Sequence, residues 1–333
     1  MTEPVISVIL PAYNSENYVR QSINSILEQT YLNFELIIIN DGSTDSTSKI
    51  IKSIKDPRII YFENKINQGL IYSLNFGINI ARGAFIARMD ADDVSLYNRL
   101  EKQINFLKDN KDIGVVGSAF QPIDLNNKLL MNPIYRPVWP AAAEWFLLIG
   151  CPLAHPSVMF RTNLARQIKG YDENFPHTED YEFWTRMVRI TKICSLREPL
   201  ILYRVNNLNR ISEKYYSIQN NLSNQIRIKY CTEHFGEEMT IEISRIIQGE
   251  NLKSGNNKDK VDACILLNKT YQQIINRQNI LIEEFREITS LYNENVIKII
   301  KSINDKEKLY VYPFNKFNRL KIFLRKALVR FLG

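Results

Sequence analysis

The sequence predicts an α/β protein: a mostly parallel sheet with helices on both faces, followed by a helical C-terminal region. Three observations predict it. Short apolar, β-branched runs alternate with amphipathic stretches through the first part of the chain, as expected for strands buried on both faces. Polar clusters close three of those runs. Beyond Ser212 the composition shifts towards Asn, Gln, Lys, Ile and Glu, with little Gly or Pro.

Val5 to Leu10 is the first apolar run, closed by Pro11. Tyr18, Val19, Ile23, Ile26 and Leu27 then fall at amphipathic helical spacing. Phe34 to Ile39 reads as a second strand, closed by the turn-rich Asn40-Asp41-Gly42-Ser43-Thr44-Asp45. Another helix precedes a third strand, Arg58 to Phe62. Leu70 to Ala81 reads as a helix stopped by Gly83. Phe85 to Met89 is a fourth strand running into Asp90. From Gly114 to Val205 short strands (Val115-Val116, Ser157 to Phe160, Leu200 to Val205) mix with helices, among them Glu179 to Val188. Ser254-Gly255-Asn256-Asn257 is a loop signal in the helical region. The expected organisation is a domain over 1–212, with halves at 1–113 and 114–212, and a helical region over 213–333.

At 333 residues, 45% apolar and 24% charged, the composition is that of an ordinary globular protein. No apolar run reaches the ~18 residues of a membrane span. The N-terminal MTEPVISVIL lacks a basic segment and enters a strand directly, so no signal peptide is expected. Four scattered cysteines (Cys151, Cys194, Cys231, Cys264) form no CxxC pair. A disulfide or cysteine–metal scaffold is therefore not expected, and a cytoplasmic location is. The net charge of +7 favours anionic partners without choosing among them.

Ligands of open α/β sheets bind beyond the carboxyl ends of the strands. Pro11-Ala12-Tyr13-Asn14, Asp41-Gly42-Ser43 and Asp90-Ala91-Asp92-Asp93 fall there, and on parallel neighbouring strands those ends meet on one edge. Asn40 to Ser43 taken alone is equally a turn and helix cap. Three carboxylates within four residues are harder to explain structurally, because they repel one another unless a cation offsets them. Mg²⁺ and Mn²⁺ prefer oxygen ligands and accept one or two carboxylates, which Asp90 and Asp92 can supply. Far downstream, Glu179 and Asp180 open an amphipathic helix carrying Phe183, Trp184 and Met187. Carboxylates there complement the helix dipole, or one of them serves as a general base.

Together these segments resemble the family 2 glycosyltransferases, inverting enzymes of GT-A fold. The matching text is VISVILPAYNSENYVRQSINSILEQTYLNFELIIINDGSTDST, NQGLIYSLNFGINIARGAFIARMDADD, HPSVMFR and GYDENFPHTEDYEFWTRM, in that order. The form ARMDADD with HPSVMFR is most similar to bacterial enzymes building capsule, O-antigen or lipooligosaccharide chains. The resemblance implies sugar transfer from a nucleotide sugar, UDP-linked, to a glycan or lipid-linked acceptor. It implies that Tyr13 lies against the base, with Pro11 and Ala12 shaping the loop, and that Asp41 accepts the base's ring N–H. Gly69 and Ala91 belong to the same donor side. Asp90 approaches the ribose or the metal, and Asp92 ligates a Mn²⁺ or Mg²⁺ at the diphosphate. Asp180 is the general base, and His155, Glu179 and Trp184 line the sugar or acceptor side.

Two places depart from the family pattern. Ser73-Leu74-Asn75 stands where many relatives carry Ala-Arg-Asn, leaving Lys65 or Arg88 to contact phosphate. Tyr203-Arg204-Val205 lacks a following His, leaving Arg204 or Arg210 to replace it.

Residues 316–333 contain six basic and no acidic residues. Phe317, Leu320, Leu324, Ala327, Leu328 and Phe331 form one apolar arc, as in a helix lying on an anionic membrane or docked on the protein itself. Peripheral attachment to the inner face of the membrane and a homodimer through the helical region are the partner expectations. Nucleic-acid binding is not expected, because the tail's aromatics form no stacking platform. Two other classes compete. A sugar-phosphate nucleotidyltransferase would carry a Gly-rich basic first loop, which Pro11 to Asn14 does not. A non-catalytic nucleotide- or glycan-binding protein would not need Asp90, Asp92 and Asp180 together.

Overall fold

The structure, a computed structural model, describes residues 3–205, 215–277 and 280–303. The chain divides into two compact units, Met1–Ala143 with Cys151–Ser223, and Glu144–Gly150 with Asn224–Gly333. The first unit is mixed α/β. Its strands are β1 (Ile6–Ala12), β2 (Phe34–Asn40), β3 (Ile59–Glu63), β4 (Phe85–Arg88), β5 (Val94–Ser95), β6 (Ile113–Ile123), β7 (Met159–Arg161) and β8 (Lys192–Arg204). They form one eight-stranded sheet in the order β3-β2-β1-β4-β7-β6-β8-β5.

The parallel character expected of the sheet holds for β3, β2, β1 and β4. Beyond β4 the sheet is mixed: β7 runs antiparallel to β4 and β6, while β6 and β8 pair in parallel. Of the short strands expected there, Val115-Val116 and Leu200 to Val205 are parts of the long β6 and β8, while Ser157 to Phe160 overlaps the short β7. Register shifts near Ile113, Ser118 and Ala119 break the alternation of side chains, and that broken period hid the length of β6 and β8. β1 also runs two residues beyond the expected stop, with Pro11 opposite Ile39 and Ala12 opposite Asn40.

The helices associated with this unit are α1 (Val19–Leu27), α2 (Thr47–Ser53), α3 (Leu70–Ile80), α4 (Arg99–Asp109), α5 (Pro140–Phe146), α6 (Thr162–Gln167), α7 (Glu179–Met187) and the start of α8 (Tyr216–Tyr230). β1 is central and wholly buried, and its two faces carry different helices. Ile6, Val8 and Leu10 join one cluster with Val19, Ile23 and Ile26 of α1 and Leu100, Ile104 and Leu107 of α4. Ile9 points the other way, against α3. A Cβ built on Gly77 there lies 2.7 Å from Ile9 Cγ2, so glycine lets α3 sit close on the strand. Each of these aliphatic side chains contributes about 1.5–3 kcal/mol on burial. A one-residue register slip would forfeit a whole face.

The second unit is helical: the end of α8, a π-turn over Cys231–Phe235, α9 (Ile241–Gln248), α10 (Asn257–Ile275) and α11 (Ile282–Lys301). The loop expected at 254–257 ends at Asn256, whose side chain caps α10 by accepting from Asp259 N at 2.8 Å. Arg227 is buried with Asn224 and Ser244, and its Nη1 donates to both at 3.0 and 2.7 Å. The basic stretch 316–333 lies outside the described residues.

Candidate active site

Because β1, β2 and β4 are parallel and adjacent, their carboxyl ends open on one edge, and the three polar clusters follow them there. Tyr13 follows β1 and is 48% exposed, so its ring is open to a flat partner. Asn14 has φ 46° and its Oδ1 accepts Thr44 N at 2.9 Å, locking the first loop to the second. Asp41 behaves differently from an open ligand. It is buried, and its carboxylate accepts Asn64 Nδ2 at 2.7 Å, Gln68 N at 2.9 Å and Gly69 N at 2.8 Å. A carboxylate offers about four acceptor positions, so one is left over. Asp41 thus fastens the loop that starts α3, and Gly69 serves that loop through its N–H.

Gly42 makes the turn possible. Its φ is +65°, and a Cβ would lie 2.4 Å from the carbonyl carbon of Ile66. The expected result for Gly42→Ala is a loss of roughly 2–4 kcal/mol in urea unfolding, from left-handed strain plus a backbone clash. A loss below ~0.5 kcal/mol would mean the 42–66 contact is slack.

Arg88 closes β4, and Asp90, Asp92 and Asp93 follow it. One carboxylate oxygen from each lies within 4.8 Å of the others. Asp93 is buried. Its Oδ1 accepts the backbone N–H of Arg204 at 2.7 Å, and its Oδ2 has no protein donor. Burial, then Asp90, pushes Asp92 up to about 6. Burial, then Asp90 and Asp92, pushes Asp93 well above the ordinary carboxylate range. Mutual repulsion and an oxygen without a donor make this donor set fit a hard divalent cation. Ala91, between the ligand candidates, is buried in the core cluster.

That repulsion has a sign. Asp92 holds its proton more tightly folded, near pH 6, than unfolded, near 3.8. Its stabilising contribution is therefore full below about pH 4 and lost as pH rises through about 6. With EDTA present, Asp92→Asn is expected to melt a few degrees above the parent at pH 7.5, and the gap should close towards pH 4. A gap independent of pH in scanning calorimetry would refute the carboxylate repulsion.

Three arginines hold this edge. Arg88 is buried and its guanidinium pairs with Asp90. Arg99 is fully buried, and its Nη2 donates to the carbonyls of Arg88 at 2.7 Å and Val158 at 3.1 Å, fixing the end of β4. Arg204, expected to stand in for a missing His, is committed elsewhere. It donates to the carbonyls of Asp92 and Asp124 at 2.7 and 2.9 Å, and to Gln21 Oε1 and Asn127 Oδ1 at 3.0 and 2.8 Å. That buried guanidinium pins the acidic turn and leaves nothing for a diphosphate. Arg210 lies outside the described residues, and Lys65 is exposed. Asn75 is likewise structural, bonding both backbone groups of Tyr171 at 2.8 and 2.9 Å.

The second carboxylate pair opens α7. Burial, then Asp180, lifts Glu179 to about 7. Burial also raises Asp180, opposed by hydrogen bonds from Tyr181 N and Cys151 and by the charge of Arg88. Arg88 acts electrostatically on Asp92, Asp93, Glu179 and Asp180, tying the acidic turn to this pair. His155 is buried, and its Nε2 lies 2.9 Å from the Tyr171 hydroxyl. Burial holds the ring well below its usual pKa, hence neutral. Trp184, expected on the sugar side, is fully buried and packs edge-on against His155, Phe160 and Phe183. It faces the core, because the helix period carries it inward beside Phe183. Its contribution is to seat α7 and hence Asp180. Arg99 and Cys151 carried no signal for the site in the sequence, since each looked like an isolated core or loop residue, and Tyr171 entered only as part of the GYDENF segment.

The model of Glycosyl transferase family 2 matches residues 7–162. An uncharacterized glycosyltransferase of Haemophilus influenzae is 34% identical over 253 residues, covering 70% of this chain and 75% of that protein. The chain belongs to glycosyltransferase family 2. This glycosyltransferase is also 34% identical to an uncharacterized glycosyltransferase of Methanocaldococcus jannaschii, over 68% of its own length and 82% of the relative's. EpsE of Bacillus subtilis, a putative glycosyltransferase, is 36% identical over 55% of the chain and 66% of EpsE. In fold, the transferase resembles S. aureus TarS 1-349, solved with UDP-GlcNAc, at TM-score 0.56 and 17% identity, covering 93% and 91% of the two chains. It also resembles the mannosyltransferase PcManGT of Pyrobaculum calidifontis, solved with GDP-Man and Mn²⁺, at TM-score 0.52 and 14% identity, over 95% and 85%. The fold is therefore GT-A, and the nucleotidyltransferase alternative is set aside. No described helix is long and apolar enough to cross a membrane.

Proposed function

We propose that this glycosyltransferase inverts the anomeric centre of a UDP-linked sugar as it moves it to a hydroxyl of a glycan or lipid-linked acceptor. The observation that carries the reading is that two carboxylate groups lie within electrostatic reach of the buried Arg88 guanidinium. Asp90, Asp92 and Asp93 lie at the sheet edge, Glu179 and Asp180 at the start of α7, and Arg88 acts on both. A nucleotide diphosphate belongs to the first group and a hydroxyl to the second.

Tyr13 offers its exposed ring to the base, and the remaining acceptor position on Asp41 takes a ring N–H, which favours uracil. Asp90 and Asp92 would hold a Mn²⁺ or Mg²⁺, with the free Asp93 oxygen beside them. Such an ion supplies Lewis-acid stabilisation of the departing diphosphate. Asp180 takes the acceptor hydroxyl's proton as the new bond forms. Its raised affinity for protons suits that task, since efficiency improves as the base approaches the working pH. With Asp180 acting as base, the acceptor oxygen attacks the anomeric carbon in one displacement, which inverts it. TarS and PcManGT, with nucleotide sugars in their solved complexes, support the donor class. A surface polysaccharide is the proposed product, reached from the cytoplasmic face of the membrane with the help of residues 316–333.

The deciding experiment incubates the protein with a panel of nucleotide sugars, an oligosaccharide acceptor and Mn²⁺, and measures nucleoside diphosphate release. UDP release with one or more UDP-sugars, abolished by EDTA, supports the proposal. Release only from GDP-sugars moves the donor assignment, and EDTA-resistant turnover removes the metal.

A further inference from the structure

Cys151 sits beside the carboxylate assigned as base. Its Sγ lies 3.4 Å from Asp180 Oδ2 and 3.3 Å from the carbonyl of Leu153. The other carboxylate oxygen, Oδ1, accepts Tyr181 N at 2.7 Å. The Tyr181 N–H thus holds one edge of the carboxylate and the Cys151 thiol the other.

We propose that Cys151 is the positioning residue of the base: its thiol holds the Oδ2 edge of Asp180 and turns as that carboxylate gains and loses a proton. The inference rests on Asp180 being the base. A thiol carries one proton and a sulfur that also accepts weakly. When Asp180 is ionised, the S–H points at Oδ2. When Asp180 has taken the acceptor's proton, the S–H turns to the Leu153 carbonyl and the sulfur faces the new O–H. Rotation about one bond serves both states, whereas an ammonium or guanidinium would serve only the anion.

The surroundings keep the thiol protonated. Burial first, then the charge of Asp180, pushes it well above its usual range. Arg136 opposes that shift from the Cys151 side. Facing Asp180 are Arg88 from β4, Glu179 and Tyr181 from its own helix, and Tyr171 from the preceding loop. Arg88 and the Tyr181 N–H favour the anion, and Glu179 opposes it, so Cys151 supplies the adjustable part.

The test uses the full chain in two arms. In the first, iodoacetamide alkylation of Cys151 is followed by peptide mass spectrometry in the parent and in Asp180→Asn. Loss of the carboxylate charge is expected to speed alkylation severalfold at pH 8, because the thiolate forms more readily. In the second, UDP release from the UDP-sugar panel is profiled against pH for Cys151→Ala and Cys151→Ser. The acid limb of kcat/KM is expected about one pH unit higher in Cys151→Ala, with donor KM unchanged. Cys151→Ser, which retains a donor, should restore the limb to the parent position or below. An unmoved limb in Cys151→Ala, with transfer abolished in Asp180→Asn, overturns the role of Cys151 and leaves the base intact. Transfer persisting in Asp180→Asn overturns both. Should Cys151→Ala not fold, equal alkylation rates in parent and Asp180→Asn overturn the inference unaided.

Discussion

Asp180→Asn is expected to reduce transfer by roughly 10²–10⁴-fold while donor binding stays within about twofold. The amide keeps the size of the carboxylate and can still accept Tyr181 N at Oδ1, so α7 retains its first turn. What it lacks is a site for the acceptor's proton. Asn is also neutral, so Glu179 loses the neighbour that, after burial, raises it most. Glu179 should then titrate lower, and any residual activity should show a more acidic limb. The measurement is kcat and donor KM by UDP release, with UDP affinity by calorimetry. Transfer within threefold of the parent would take Asp180 out of the base role and move attention to Glu179, its buried neighbour.

Asp92→Ala is the second large effect. Removing it leaves Asp90, already paired with Arg88, and Asp93, one of whose oxygens is held by Arg204 N. Neither remaining carboxylate is free to dominate an ion's shell. The expected loss is about 10³-fold in turnover, corresponding to ~4 kcal/mol of lost charge stabilisation. Mn²⁺ binding, read directly by electron paramagnetic resonance, should weaken by at least tenfold. In the parent, the same binding should fall as pH drops through about 6, where Asp92 takes up a proton. Undiminished Mn²⁺ binding in Asp92→Ala would place the ion elsewhere. Asp92→Ala and Asp180→Asn separate the two halves of the reaction, since only the first should disturb the diphosphate.

Much of this site is legible in the sequence. β1, β2 and β4 are buried on both faces, so each reads as a mainly apolar run, and a polar cluster lies at the end of each. Asp90 and Asp92 were visible because three carboxylates in four residues are costly without a purpose. Asp180 was visible through a motif, though its helix start alone suggests only a dipole partner. The mixed half of the sheet was less legible, because bulges in β6 and the long run of β8 break the period on which strand reading depends.

The family, the parallel first half of the sheet and the edge on which Tyr13, Asp41 and Asp92 gather could be read without the fold. These follow from short-range pattern: strand periodicity, and turns that must come after strands. The fold alone shows how each polar group is engaged. It turned Arg204 from a phosphate contact into the pin of the acidic turn, and packed Trp184 against His155, Phe160 and Phe183. It gave Asp41 three donors from the 64–69 loop, and brought Cys151 to Asp180 across 29 positions of chain. The physical reason is that a side chain's role depends on its unpaired valence after folding, and hydrogen-bond partners distant in sequence leave no local trace.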